Sequence, residues 1–202
     1  LTWSVSAVAA NQLGMVSSAA YQLVYQQAIW IILGMGAFTT VGMAAVGSAD
    51  QEIGKAFAME PGMILLTQAL AVSALIGGFV WVFQSQIPLA FSRDVGVLGE
   101  VAPAMLPVVA ILGILWYKAL EGLLIGIKDV KFVSRQYFWA MGLSLATGAY
   151  FKFFESTSVG SVWWALLAYY GVLTVKFSVR TMRHAGLFGA GARLGDPKLK
   201  LA

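Results

Sequence analysis

Lys118 and Glu121 stand three positions apart in "WYKALEGLLIGIKD", residues 116–129, a stretch otherwise fit for hydrocarbon. No charged residue precedes them between Val101 and Tyr117. Spaced i, i+3 on a helix, they are neighbours and can neutralise one another. Charge inside a membrane is costly and normally faces a protein interior or a wet cavity. Two chemistries fit: Glu121 carrying a proton or cation with Lys118 as its counter-ion, or a purely structural ion pair. A second group lies nearer the N-terminus. Gln22 and Gln26 are spaced i, i+4, as are Tyr21 and Tyr25, so the pairs occupy adjoining faces of one helix. Gln22, Tyr25 and Gln26 are candidate hydrogen-bonding residues for a polar solute, or ties between helices.

Enzyme chemistry finds little footing. The one histidine, His184, lies in a basic C-terminal region, so a histidine-based triad or metal cluster cannot form among the apolar segments. There is no cysteine. "GSADQEIGKA" departs from a phosphate loop in having six residues between its glycines, and Ala where Ser or Thr would meet magnesium. It reads as a polar connection. No cofactor is expected.

The elements that must position these residues follow from composition. Of 202 residues, 59% are apolar and 11% charged, against about 25% charged in an ordinary soluble domain. Lipid is therefore the expected solvent. The continuous apolar runs predict an all-α bundle, not a barrel of short alternating strands. Five runs reach the length of a bilayer core: 18–46, 57–83, 101–127, 132–151 and 159–179. Residues 1–14, small and uncharged, read as the end of a further span, in a chain that starts at Leu1 and shows no signal peptide. The expected membrane domain, residues 1–183, is thus five full transmembrane helices plus the end of a sixth. A basic soluble tail, 184–202, follows it.

Alternating spans place the loop from Lys128 to Arg135 and the basic tail on one side, with Arg93 and Lys152 on the other. The positive-inside rule then puts the C-terminus on the cytoplasmic side, or on the stromal or matrix side of an organelle membrane. This distribution needs no nucleic-acid partner. Trp163 and Trp164 read as interfacial belt residues. Gly122 and Gly126, a G-x-x-x-G, read as a helix-packing face.

Several segments together resemble the second half of the MATE (multidrug and toxic compound extrusion) transporters, closest to their plastid-type plant branch. "SSAAYQLVYQ" is similar to the family's A-A-H-Q-I helix start, with Tyr21 in place of histidine. "GSADQEIGKA" matches its short polar loop, and Phe91, Ser92, Arg93 and Asp94 its F-T/S-R/K-D loop. "ALEGLLIGIKD" resembles L-E-G-x-L-x-x-G-x-D, and "SVWWALLAYYGVLTVKFSVR" the G-x-W-x-A-L pattern of the final helix. The resemblance covers nearly all of residues 1–183. It implies one lobe of a two-lobed transporter, exporting a small organic solute in exchange for protons or sodium by alternating access.

Two departures accompany the resemblance. The first lobe is absent from this sequence, and the family's helix-ten acid falls at Ile114, which leaves Glu121 as a relocated candidate. Two functional readings follow. One is a cation-coupled secondary transporter or its C-terminal lobe, needing the missing N-terminal lobe or other membrane subunits. The other is a non-transporting half-transporter kept as a structural subunit of a larger membrane complex, photosynthetic under the plastid resemblance.

Overall fold

The computed structural model describes residues 2–47, 59–154 and 158–184. The polar connection at 48–58 and the tail at 185–202 lie outside the described residues. Every described element is an α-helix, with no strand among the described residues. In chain order they are α1 (Thr2–Gln12), α2 (Met15–Gly47), α3 (Met59–Val82), α4 (Gln86–Phe91), α5 (Val95–Gly113), α6 (Tyr117–Gly126), α7 (Val130–Phe154) and α8 (Val159–His184).

The surface has the polarity that a bilayer demands. Trp30 is 76% exposed, Leu75 73% and Phe138 71%, all on the outside of long helices whose own backbone bonds are internally satisfied. Water would not tolerate so broad an apolar exterior on a monomer. Among the described residues, four helices are long and apolar enough to cross a membrane: Met15–Gly47, Pro61–Val82, Val95–Gly113 and Val159–His184.

That finding corrects the expected five full spans plus the end of a sixth. The run 101–127 is two helices, because the chain breaks at 114–116 between α5 and α6. α7 has the length of a span, 25 residues. However, Lys131, Arg135, Gln136 and Lys152 lower its hydropathy. Residues 2–12 form a short helix of their own. The chain turns at Gly14, whose φ of 110° suits glycine, and α1 folds back along α2. Ser6 Oγ then lies 2.6 Å from the Tyr21 hydroxyl, in a buried pair across that turn.

α5 starts where the Phe91–Asp94 motif ends. Asp94 is its N-cap, the carboxylate accepting from Gly96 N at 2.8 Å and Val97 N at 3.3 Å. At the other end, bonds of the i→i+3 type replace the α-helical ladder. Tyr117 N donates to Ile114 O at 3.2 Å, and Lys118 N to Leu115 O at 3.0 Å. Two neighbours hold the break. A Cβ on Gly77 of α3 would lie 3.2 Å from the backbone of Gly113, so α3 approaches closely there. On the other side, the Thr39 hydroxyl of α2 donates to the Lys118 carbonyl at 2.9 Å.

α6 sits at the centre, enclosed by α2, α3, α7 and α8. Seven of its ten residues, Glu121 among them, are buried. The expected Gly122/Gly126 face meets α2: a Cβ on Gly122 would fall 2.3 Å from the Thr39 carbonyl oxygen. α6 ends in a paired hydrogen-bond motif, Lys128 N to Ile125 O at 2.9 Å and Asp129 N to Leu124 O at 2.9 Å. Lys128 takes the left-handed position there, φ 64°, usually given to glycine. The chain then returns as α7, and α7 lies along α8.

Candidate functional site

Lys118 and Glu121 lie one turn apart on α6, with Lys118 Nζ 2.8 Å from Glu121 Oε2. Their side chains are 20% and 10% exposed, so the pair is mostly withdrawn from the surface. The second carboxylate oxygen, Oε1, accepts a short hydrogen bond from the Tyr137 hydroxyl of α7. Both oxygens of Glu121 thus have a donor, one of them cationic. A buried carboxylate is tolerated in such a setting because pairing and hydrogen bonding offset its desolvation.

Aromatic rings wall the pair. Lys118 Nζ lies 5.1 Å from the centroid of Tyr117, close enough for a cation–π contribution. Tyr117 packs on Tyr170 at 5.7 Å and Phe177 at 6.4 Å. Tyr137 packs on Tyr169 at 6.2 Å and meets Phe177 edge-on at 6.1 Å. α6, α7 and α8 therefore surround one charge pair with aromatic surface. Protonation of Glu121 would release Lys118 as an unpaired cation and turn Tyr137's acceptor into a neutral acid. A cation competing for the carboxylate would also have to displace Lys118.

Tyr137 was not singled out by sequence. The signal lay in the turn at Lys128–Asp129: Glu121 and Tyr137 stand at similar distances before and after it. Once the chain folds back, the two meet.

The other candidates are not brought to this pair. Gln22 and Gln26 are exposed on the outside of α2, and Tyr25 is half-buried, stacked on Tyr21 with centroids 5.8 Å apart. Measured along α2 to Thr39, which touches Lys118, they are about 20 to 25 Å away. The α2 glutamine that turns inward is Gln27. It lines an apolar cavity of about 710 Å³ with Ile31, Phe79, Ile87 and Leu112, and its Nε2 is buried with no hydrogen-bond partner among the described residues. Trp163, expected at the interface, is instead fully buried against Tyr21, ring centroids 5.9 Å apart. Trp164 is 39% exposed.

A second polar contact closes the corner after α6. Asp129 Oδ2 receives Arg180 Nε at 2.6 Å and lies 3.3 Å from His184 Nε2. Partial burial pushes the Asp129 carboxyl up, but hydrogen bonds and charge from Arg180 and His184 outweigh it. The group lies below the usual carboxylate value. Among the described residues, no group of three His, Asp or Glu side chains is placed to hold a metal ion.

No protein family, curated protein or solved structure matches the chain.

Proposed function

We propose that this chain is the coupling half of a cation-coupled secondary transporter, acting with a further membrane lobe or subunit on a small organic solute. The observation that carries the reading is the joint placement of a helix break and a buried carboxylate. The apolar run 101–127 is interrupted at 114–116, and Glu121 follows within the first two turns of α6, held by Lys118 and Tyr137. Ion and substrate sites of secondary transporters are commonly built at discontinuous helices. Ionisable groups within a membrane are functional by default expectation.

In this mechanism Lys118 occupies the carboxylate in the resting state. A proton or sodium ion bound at Glu121 weakens the hold on Lys118 and on Tyr137. The α6–α7 contact then loosens in step with cation binding, and a solute-binding surface shared with the second lobe reorients. Gln22, Tyr25 and Gln26 serve as solute ligands only on the outward-facing surface of α2, where such a lobe would cover them. The plastid placement and the stromal C-terminus belong to the same proposal.

A second reading has its own support. Both Glu121 oxygens are already engaged, and the pair is enclosed by aromatic rings. This is also how a static ion pair would join α6 to α7 in a non-transporting subunit of a membrane complex.

Vesicles containing the chain with its co-purifying subunits, loaded with a pH-sensitive dye, separate the two. Transport predicts solute-dependent proton or sodium movement across a panel of organic ions, lost in Glu121→Gln. Absence of flux in either gradient, from preparations that remain assembled, would sink the transport reading.

A further inference from the structure

The charged end of the α7–α8 pair contains a cleft of about 530 Å³ that the coupling site does not use. Lys131 and Arg135 are spaced i, i+4 on α7, while Lys176, Arg180 and Arg183 follow one face of α8 at i, i+4 and i+7. All five line the cleft, and among the described residues Asp129 is the one carboxylate that lines it. Asp129 is taken by Arg180 and His184. Lys131, Arg135, Lys176 and Arg183 are solvent-exposed and have no ion pair among the described residues. Four cations thus converge on one concave surface with no ion-pair partner for any of them among the described residues.

The surroundings indicate what would neutralise them. Val175, 61% exposed, and Val179, 36% exposed, line the same cleft. From Val159 to Val175, α8 carries no charge, roughly 25 Å of helix leading away into its apolar segment. The cleft therefore joins a basic rim at the membrane surface to an apolar wall continuing into the bilayer. Topology signals alone require only that basic residues lie on one side. They do not require five of them, from two helices, to line one cleft.

We infer that this cleft binds the phosphate headgroup of an anionic phospholipid, with Lys131 and Arg135 on one side, Lys176 and Arg183 on the other, and an acyl chain along Val175. Basic pockets between membrane helices recognise lipid phosphates through this combination of charge and geometry. Arg180, fixed by Asp129 and lying 5.2 Å from the Phe132 ring centroid, shapes the floor.

The test uses the full chain with its co-purifying subunits in nanodiscs of phosphatidylcholine containing a minority of phosphatidylglycerol. Lipid retained on the released protein is counted by native mass spectrometry. Wild type should keep phosphatidylglycerol in preference to phosphatidylcholine. The Lys131→Gln/Lys176→Gln variant should lose that preference by about tenfold or more. Arg93→Gln, in the connection between α4 and α5, should leave it unchanged, and helix content by circular dichroism should match across variants. The wild-type arm stands even if the double variant misfolds: equal retention of the two lipids overturns the site. So does a preference surviving in a folded Lys131→Gln/Lys176→Gln protein. If inorganic phosphate displaces the lipid and binds equally in phosphatidylcholine discs, the cleft is a free-anion site and the lipid assignment is wrong.

Discussion

The Tyr137 hydroxyl and the Glu121 carboxylate, 16 positions apart, meet across the turn that joins α6 to α7. Their bond makes the buried charge of α6 a property of two helices. Lys118 supplies the charge balance, and Tyr137 supplies the link.

Tyr137→Phe should therefore destabilise the protein by about 1.5 to 3 kcal/mol, the usual range for a hydrogen bond to a charged group. Thermal unfolding in detergent measures it. Tyr150→Phe, at a tyrosine 51% exposed, should stay within about 0.5 kcal/mol of wild type. Equal effects at the two positions would mean that the Tyr137 bond contributes nothing specific.

Gly122→Ala should be among the most damaging single methyl additions. The new Cβ would stand 2.3 Å from the Thr39 carbonyl oxygen and 2.8 Å from the Thr39 Cα, so α2 and α6 must move apart. Gly142→Ala meets nothing within 4 Å. It should be neutral, or stabilising by up to about 1 kcal/mol through helix propensity. Melting temperatures of the two variants check the contrast. Comparable melting would show that α2 and α6 do not approach this closely.

Asp129 predicts a response to acid. Its carboxyl is held below its usual value, so folding gains from its ionised form above the unfolded-state value of about 4. That gain is lost as pH falls through the lower folded-state value. Between about pH 4 and the acid limit, wild type should lose more stability than Asp129→Asn, whose curve should be flatter. Parallel curves would show that the Asp129–Arg180 contact is not formed in solution.

How much of this was legible in the sequence depends on the kind of information each feature needs. Helices and lipid exposure were legible, because uninterrupted apolar runs such as 159–175 permit little else. The Lys118–Glu121 pair was legible because i, i+3 spacing is local. The break at 114–116 was not. No proline marks it, and what holds it is tertiary: the close approach at Gly77 and the Thr39 hydroxyl bond. Nor does the sequence show which face of α2 each glutamine takes. Gln22, Gln26 and Gln27 are chemically alike, and only the packing of neighbouring helices turns Gln27 inward and the other two outward. Trp163 went inside for the same reason, its ring packing against Tyr21 of α2. At the α6 C-terminus, Lys128 carries no glycine-like sign of its left-handed conformation.

The central claim is that Glu121 exchanges a cation while Lys118 holds its place. The most direct measurement compares Glu121→Gln with the Lys118→Met/Glu121→Gln double variant, reading thermal stability and cation-coupled solute flux on the same preparations. Glu121→Gln strands Lys118 as a cation without its partner and should cost roughly 3 to 5 kcal/mol, the range for breaking a buried pair. The double variant should recover much of that stability, since both charges are gone. Flux should be absent in both. Stability recovered without flux is the result the account predicts. Coupled flux persisting in Glu121→Gln, or stability unchanged when Glu121 alone is neutralised, would contradict it.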